Sequence, residues 1–490
     1  MATLTTSWQL IDQTYLGTSG GNLYVRLYAR YSEQDITNNR TYVYYEARSY
    51  YENSTYIQDN QGTIAVSGTS ASYQSAGCTR PTTGESVSVT TSGWVSHNSD
   101  GTGSASGSAT INFPNWGWSG TASGSFTLPT IPRASEVACS SPYIGDNAII
   151  SIDKKSSAFT NTVTYKIGTL TGTVATKTSS TTLQLNTSAI ADQIYALIPN
   201  DTEIQGTIYC TTYNGSTQIG DTKSTTFNLY AKESVCKPSV RATIIDNNTA
   251  VTAITGSNNK FIKYISKPIV DVLAEPKKSA SINNFSINLN DGQTASSSTS
   301  SGKVGAEVFY QKQFNTIGSN KVTVSATDSR GYSNSKDYTL DMIDYIKLHI
   351  NTISITRPEG TSNEAILNCN GAYFNGSFTD EVSNTLTATF KYRLSGTTEW
   401  TDGGSITPTI ENNTFKFTNL SLGESFDYNE EYQFKIILQD KFMTVGDLDS
   451  DIITLPKGQE VIAIGEDGGW LYGNWYLNDI EIDVEVVDEW

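Results

Sequence analysis

The chain has 490 residues, enough for three or four domains, and its 49 Asp and Glu against 32 Lys and Arg give a formal net charge of −17. That acidic balance, with no Lys/Arg cluster, excludes nucleic acid as an expected partner. No run of ~18 apolar residues exists to cross a membrane as a helix, and aromatics at 11% throughout exclude a disordered chain.

Met1 to Leu10 has neither a basic start nor an apolar run, so no secretory leader is expected. Strand signals then follow one another. Asn22–Arg30 (NLYVRLYAR), Arg40–Tyr45 (RTYVYY), Thr162–Ile167, Lys321–Ala326, Leu386–Tyr392 and Tyr432–Leu438 alternate or run β-branched and aromatic. Gly, Asn, Asp and Ser turns separate them about every 8–12 residues, the rhythm of sandwiches. Ser and Thr make up about a quarter of the chain and suit the wet face of antiparallel sheets. The single helical expectation is Thr187–Ile198, with apolar residues at spacings of three and four.

Proline-containing hinges divide the chain: Thr127–Ala134, Cys236-Lys237-Pro238, the approach to Pro358, and Leu455-Pro456. The expected organisation is an aromatic-rich β-sandwich over 1–130, Ig-like sandwiches over 131–235 and 236–345, and an Ig-like or fibronectin-like sandwich over 346–456. An acidic β segment over 457–490 follows. The fold class is all-β, with serial domains forming an elongated rod. Residues 440–490 hold 13 acids and two lysines, and Trp470–Trp490 alternates acid and apolar residues as a half-buried strand would. Such a ribbon either pairs with another copy of itself or returns to the last sandwich.

Little in the sequence points to chemistry. Cys78, Cys139, Cys210, Cys236 and Cys369 are too scattered for a disulfide framework or a zinc site. Cys139 and Cys210 alone are spaced to span two facing strands, and buried reduced thiols are the expected state. His97 and His349 have no second His or Cys nearby. Asp447, Asp449 and Asp451 resemble the start of a calcium loop but lack its Gly and terminal Glu. Gly101–Gly107 precedes a strand and contains no phosphate-binding Lys. No catalytic residue, metal site or cofactor is expected, although a pair of distant carboxylates for glycoside hydrolysis leaves no sequence motif.

Binding is better supported. The first block carries Tyr42, Tyr44, Tyr45, Tyr50, Tyr51, Tyr56, Trp94, Trp116 and Trp118. Sugars stack their C–H faces on such rings, while Asn, Asp and Arg bond the hydroxyls. Alternation puts Tyr42 and Tyr44 on one face and Tyr45 on the other, so not all can be core. An outward Tyr also serves in cross-strand pairs. The candidate carbohydrate-binding residues are Tyr44, Tyr50, Tyr51, Trp94, Trp116 and Trp118.

Tyr31–Arg40 (YSEQDITNNR) with the Tyr-rich strand, His97–Gly101 (HNSDG) and Phe126–Ser135 (FTLPTIPRAS) together resemble the N-terminal module of siphophage minor structural proteins. These are tail-tip or baseplate proteins with tandem Ig-like repeats, from phages of Gram-positive bacteria. Asp246–Lys263 and Ala326–Tyr332 (ATDSRGY) are similar to the family's second Ig-like repeat. Arg357-Pro358, Gly371–Phe378, Lys391–Arg393, Trp400 and Phe426–Tyr428 resemble the next, and Val461–Asp467 with YLNDIEI resembles the end of the common part.

The resemblance implies a virion component, assembled in the host cytoplasm and displayed on the tail, with no active site to carry over. Its expected partners are other tail or baseplate proteins, host cell-wall carbohydrate and copies of itself, a trimer being favoured. The expected function is structural and adhesive. Many weak sugar contacts on several copies would multiply into firm attachment. The alternative is a tail-associated cell-wall polysaccharide depolymerase, which would release reducing ends. A bacterial surface adhesin is disfavoured because no leader or anchor segment is visible.

Overall fold

The computed structural model describes residues 2–16, 22–52, 61–78, 84–298, 307–458, 475–477 and 480–482. The fold is all-β. The first sandwich comprises β1 (Gln9–Tyr15), β2 (Leu23–Asp35), β3 (Arg40–Tyr51), β4 (Gly62–Gly68), β5 (Ala71–Cys78), β6 (Gly84–Ser96), β7 (Gly103–Phe113) and β8 (Trp118–Leu128). They form two four-stranded antiparallel sheets, ordered β1-β2-β3-β6 and β5-β4-β7-β8. Period-two alternation sends Leu23, Val25, Leu27 and Ala29 of β2 into the core, together with Val43, Tyr45, Ala47 and Tyr51 of β3. Their neighbours in sequence face outward.

Tyr45 dictates the opposite sheet. Its ring is fully buried and lies against Gly68 and Gly107, where an added Cβ would come within 2.5 and 2.8 Å of it. Gly68 pairs with Gly107, and Gly107 with Gly124, so the three glycines form a line across β4, β7 and β8. The Tyr45 hydroxyl donates to the Thr69 carbonyl at 3.1 Å, and burial pushes its pKa up to about 12.

Three more sheet pairs follow. One packs Glu136–Cys139, Asn147–Asp153 and Thr182–Asn186 against a five-stranded sheet centred on Phe159–Ile167 and Glu203–Asn214. The next packs Ser239–Asp246, Pro268–Glu275 and Val308–Gln313 against a four-stranded sheet centred on Ile282–Asn288 and Lys321–Asp328. The last packs the sheet of His349–Thr356, Ile366–Ala372 and Thr414–Ser421 against that of Thr387–Leu394 and Tyr432–Gln439. The strands read from the alternation are all present, most of them longer than their sequence signal. The helical reading of Thr187–Ile198 is realised as a 3-10 turn, Ser188–Ile190, running into an α-helix, Ala191–Leu197. Within Trp470–Trp490 the described residues do not form one strand. Trp475–Leu477 and Ile480–Ile482 pair as an antiparallel hairpin, and the rest of that segment lies outside the described residues, as does Tyr56.

Side chains seal the junctions between successive sheet pairs. At the first, the Gly101 carbonyl accepts from the Ile131 amide at 2.9 Å and from His97 Nδ1 at 2.8 Å. Gly101 has φ +87°, and a Cβ there would lie 2.0 Å from the Ile131 carbonyl, so glycine is required. Arg133 Nη1 donates to the Ile36 carbonyl at 2.7 Å.

At the second junction Arg330, only 7% exposed, reaches back across the chain. Its Nε donates to the Ile198 carbonyl at 2.9 Å and Nη2 to that of Tyr195 at 3.2 Å, with further bonds to the Lys277 and Lys278 carbonyls. Ser329 Oγ donates to Pro199 and the Tyr332 hydroxyl to Ala231. At the third junction the buried Tyr345 hydroxyl donates to Asp440 Oδ2 at 2.7 Å. Its ring packs with Phe374, Phe378 and Phe442, and burial raises its pKa.

All five cysteines are unbridged, and four are buried. Burial pushes the thiols of Cys78 and Cys210 up to about 11 and that of Cys369 to about 12. A raised folded pKa contributes stability that is complete below the unfolded value near 9 and is lost as pH rises through 11 to 12. The loss is about 1.4 kcal/mol per pH unit for each such thiol. At pH 8, native protein is therefore expected to react slowly with Ellman's reagent, half-exposed Cys139 first, and denatured protein with five equivalents at once. Rapid native labelling of more than one thiol would contradict the burial.

Among the described residues no helix is long and apolar enough to cross a membrane, and no group of three or more His, Cys, Asp or Glu is arranged to hold a metal ion. Both nitrogens of His97 are engaged, Nε2 with Thr41 Oγ1 at 2.8 Å. Asp449 pairs with the buried Lys435, and Asp451 Oδ2 accepts from the Leu448 amide.

Candidate functional site

The outer face of the β1-β2-β3-β6 sheet is where the sequence concentrates binding chemistry. In β2 every second residue points outward as Tyr24, Arg26, Tyr28 and Arg30. In β3 the outward set is Tyr42, Tyr44, Glu46, Arg48 and Tyr50. Register then decides which meet. Tyr24 lies opposite Tyr50, Arg26 opposite Arg48, Tyr28 opposite Glu46 and Arg30 opposite Tyr44. Across β3 and β6, Tyr42 faces Trp94, Tyr44 faces Ser92 and Tyr50 faces Glu85.

Two arginines directly opposite would repel, so the sheet supplies carboxylates between them. Arg48 bonds Glu46 at 2.6 Å and Glu85 at 2.8 Å, while Arg26 reaches Glu85 at 3.3 Å. Tyr28 also donates to Glu85. Burial alone would raise Glu85, but the hydrogen bonds from Tyr28, Arg48 and Arg26 together hold it below the usual carboxylate range. Glu46 is 7% exposed, and its hydrogen bond holds Arg48 above its ordinary value.

The rings and guanidinium groups interleave. Arg26 lies 3.4 Å from the Tyr50 ring centroid, Arg48 4.4 Å from Tyr28, Arg40 4.4 Å from Trp94 and Arg30 4.6 Å from Tyr44. Tyr42 stands edge-on to both Trp94 and Tyr44, at 5.1 and 5.3 Å. Each stacked guanidinium contributes ~0.5–2 kcal/mol and fixes the ring it lies on. The product is a rigid, half-exposed surface of aromatic faces edged with donors. It is suited to planar apolar patches bearing polar rims.

Of the six candidate residues, Tyr44, Tyr50 and Trp94 share this face. Tyr51 does not. It has the parity of Tyr45 and is wholly buried in the core, so it is no ligand platform. Trp116 and Trp118 belong to the second sheet, at the 3-10 turn Pro114–Trp116 that joins β7 to β8. There they stand edge-on to each other at 4.6 Å, partly buried against the core. Sequence reading missed Trp8, Tyr24, Tyr28 and the arginines. The period-two string Tyr24, Arg26, Tyr28, Arg30 was the available signal.

Clefts also lie elsewhere among the described residues. One of about 790 Å³ at the first junction is lined by Asp100, Arg133, Glu136, Lys155, Asp221 and Lys223. Its charges largely cancel, Lys223 being paired with Glu136 at 2.9 Å. Another of about 770 Å³ lies in the last sandwich beside His349, Ile436 and the 70% exposed Leu448.

A family model described as "Siphovirus protein of unknown function" (DUF859) matches residues 14–468, which bears out the siphophage resemblance of the sequence motifs. No curated protein matches. Solved structures with some likeness include a tetra-tandem repeat in the extending region of a large adhesion protein, 13% identical over 87% of this chain and 96% of that one, TM-score 0.26. A 1.5-MDa bacterial ice-binding adhesin is 12% identical over 67% and 98%, TM-score 0.21. The FN1–FN3 domains of chicken CNTN1 are 10% identical over 64% and 97%, TM-score 0.19. At such scores none of them bears on how this chain acts.

Proposed function

The chain belongs to a family of siphovirus proteins, and from that premise we propose that it is a non-enzymatic virion component whose N-terminal sheet face holds host cell-wall carbohydrate. Its place is the tail tip or baseplate, alongside other tail proteins and further copies of itself. The observation that carries this reading is the convergence of Tyr44, Tyr50 and Trp94 into one arginine-stiffened aromatic face. Rings held by stacked guanidinium groups lose little freedom when a sugar settles on them, so weak contacts survive the entropy of binding. Repetition over several copies raises the avidity.

The test is a pull-down of full-length protein on walls of Gram-positive hosts, with released reducing ends assayed in the same tube. Saturable binding without release is expected. Tyr44→Ala with Trp94→Ala should weaken it ~10-fold or more, about 1.4 kcal/mol, the scale of one or two lost ring contacts. Binding indifferent to both substitutions would sink the site, and release of reducing ends would replace adhesion with depolymerisation.

A further inference from the structure

The first third of the chain uses its cations selectively. No lysine occurs before Lys154, and the arginines up to that point are Arg26, Arg30, Arg40, Arg48, Arg80 and Arg133. Four of these stand on the aromatic face, and three have carboxylates: Glu85 for Arg26, Glu46 and Glu85 for Arg48, and Asp35 for Arg40 at 3.0 Å. Arg30 differs. Among the described residues no carboxylate lies within 4 Å of it, and its buried Nε has no acceptor. Its guanidinium packs against two rings that stand edge-on to each other, Trp8 at 5.1 Å and Tyr44 at 4.6 Å. With 49 acids in the chain, carboxylates are not scarce.

Packing against ring carbons uses none of the N–H donors of a guanidinium, so those that reach solvent stay open to an in-plane partner. The partner matching that fork is a carboxylate or a phosphodiester, each able to take two parallel hydrogen bonds. Beyond Tyr44 the aromatic surface continues through Tyr42 to Trp94. We infer that Arg30 is the anion-reading position of this face, and that the glycan it takes is acidic, its charged group bonded by Arg30 while the neighbouring sugar lies against Tyr44, Tyr42 and Trp94. This rests on the carbohydrate reading and narrows it.

The experiment titrates full-length protein with polygalacturonate, unsubstituted poly(glycerol phosphate), neutral dextran and a dT20 oligonucleotide, following tryptophan fluorescence. At least one of the two acidic polymers should bind ~10-fold or more tightly than dextran, and which one does so identifies carboxylate or phosphodiester as the source. Arg30→Met should erase that preference, the acidic polymer losing ~10-fold or more affinity beyond whatever dextran loses as the Tyr44 ring is freed. Arg30→Lys keeps the charge without the fork and should retain only part of the preference. Unfolding midpoints close to wild type for either variant keep the comparison interpretable.

Equal affinity for acidic and neutral polymers, or a preference that survives Arg30→Met, overturns the inference while leaving the carbohydrate reading intact if Tyr44→Ala still weakens binding. Oligonucleotide binding as tight as that of the glycans overturns it too. Absence of binding to every glycan overturns both.

Discussion

Replacing Arg330 with alanine is expected to split the unfolding of the chain, releasing the second sheet pair from the third. Asp328 Oδ1 accepts from the amides of Arg330 and Tyr332, turning the chain so that the guanidinium enters the junction. It then bonds four carbonyls, those of Tyr195 and Ile198 before the junction and those of Lys277 and Lys278 beyond it. Removing it strands these acceptors and leaves Asp328, whose Oδ2 has no partner, without its nearby cation. Hydrogen bonds to a buried charge are worth ~1.5–3 kcal/mol each, and breaking such a cluster costs ~3–5 kcal/mol. Calorimetry should show one shared transition becoming two, and small-angle scattering a broader distribution of distances. Arg330→Lys should recover less than half the loss, because one ammonium cannot reach acceptors on both sides. An unchanged transition for Arg330→Ala would show that the clamp is idle.

The second large effect concerns Gly68. Alanine there would place its Cβ 2.5 Å from the Tyr45 ring, a distance no relaxed packing allows. Overpacking of this kind costs ~1–3 kcal/mol, and valine costs more. Because β3 carries Tyr45 inward and Tyr44 outward, pushing the buried ring away tilts the strand that presents the outward one. Gly68→Val is thus expected to lower both the unfolding midpoint and glycan affinity. Tyr45→Leu makes room and should restore part of both, with a coupling energy above ~1 kcal/mol in the double-mutant cycle. Additive losses would mean that the glycine line is not the seat of Tyr45.

Strand positions were legible because alternation is a local property. β2 alternates from Leu23 to Arg30 and β3 along most of its length, and turn residues mark where each stops. The same parity placed Tyr51 with Tyr45, so its burial was open to reading. What could not be read was register. Arg26 meets Arg48, and Glu85 arrives to separate their charges, only once β2, β3 and β6 are aligned, and residues up to 59 positions apart decide it. Trp116 and Trp118 looked like companions of Trp94 because sequence does not say which sheet a strand joins. The ATDSRGY segment carried a family likeness, but its physical task depends on carbonyls more than 130 residues away.

The choice of arginine over lysine along the aromatic face also shapes how the protein meets proteases and reagents. Trypsin cuts after Lys and Arg, and before Lys154 it has six arginines to choose from. Four are pressed onto rings in paired strands, and Arg80 is followed by Pro81, a bond the enzyme cuts poorly. The aromatic face is thereby poor in sites open to cleavage after basic residues. Lysine-directed coupling through side chains begins only at residue 154, so a sensor surface built by that route tethers the chain behind its N-terminal face.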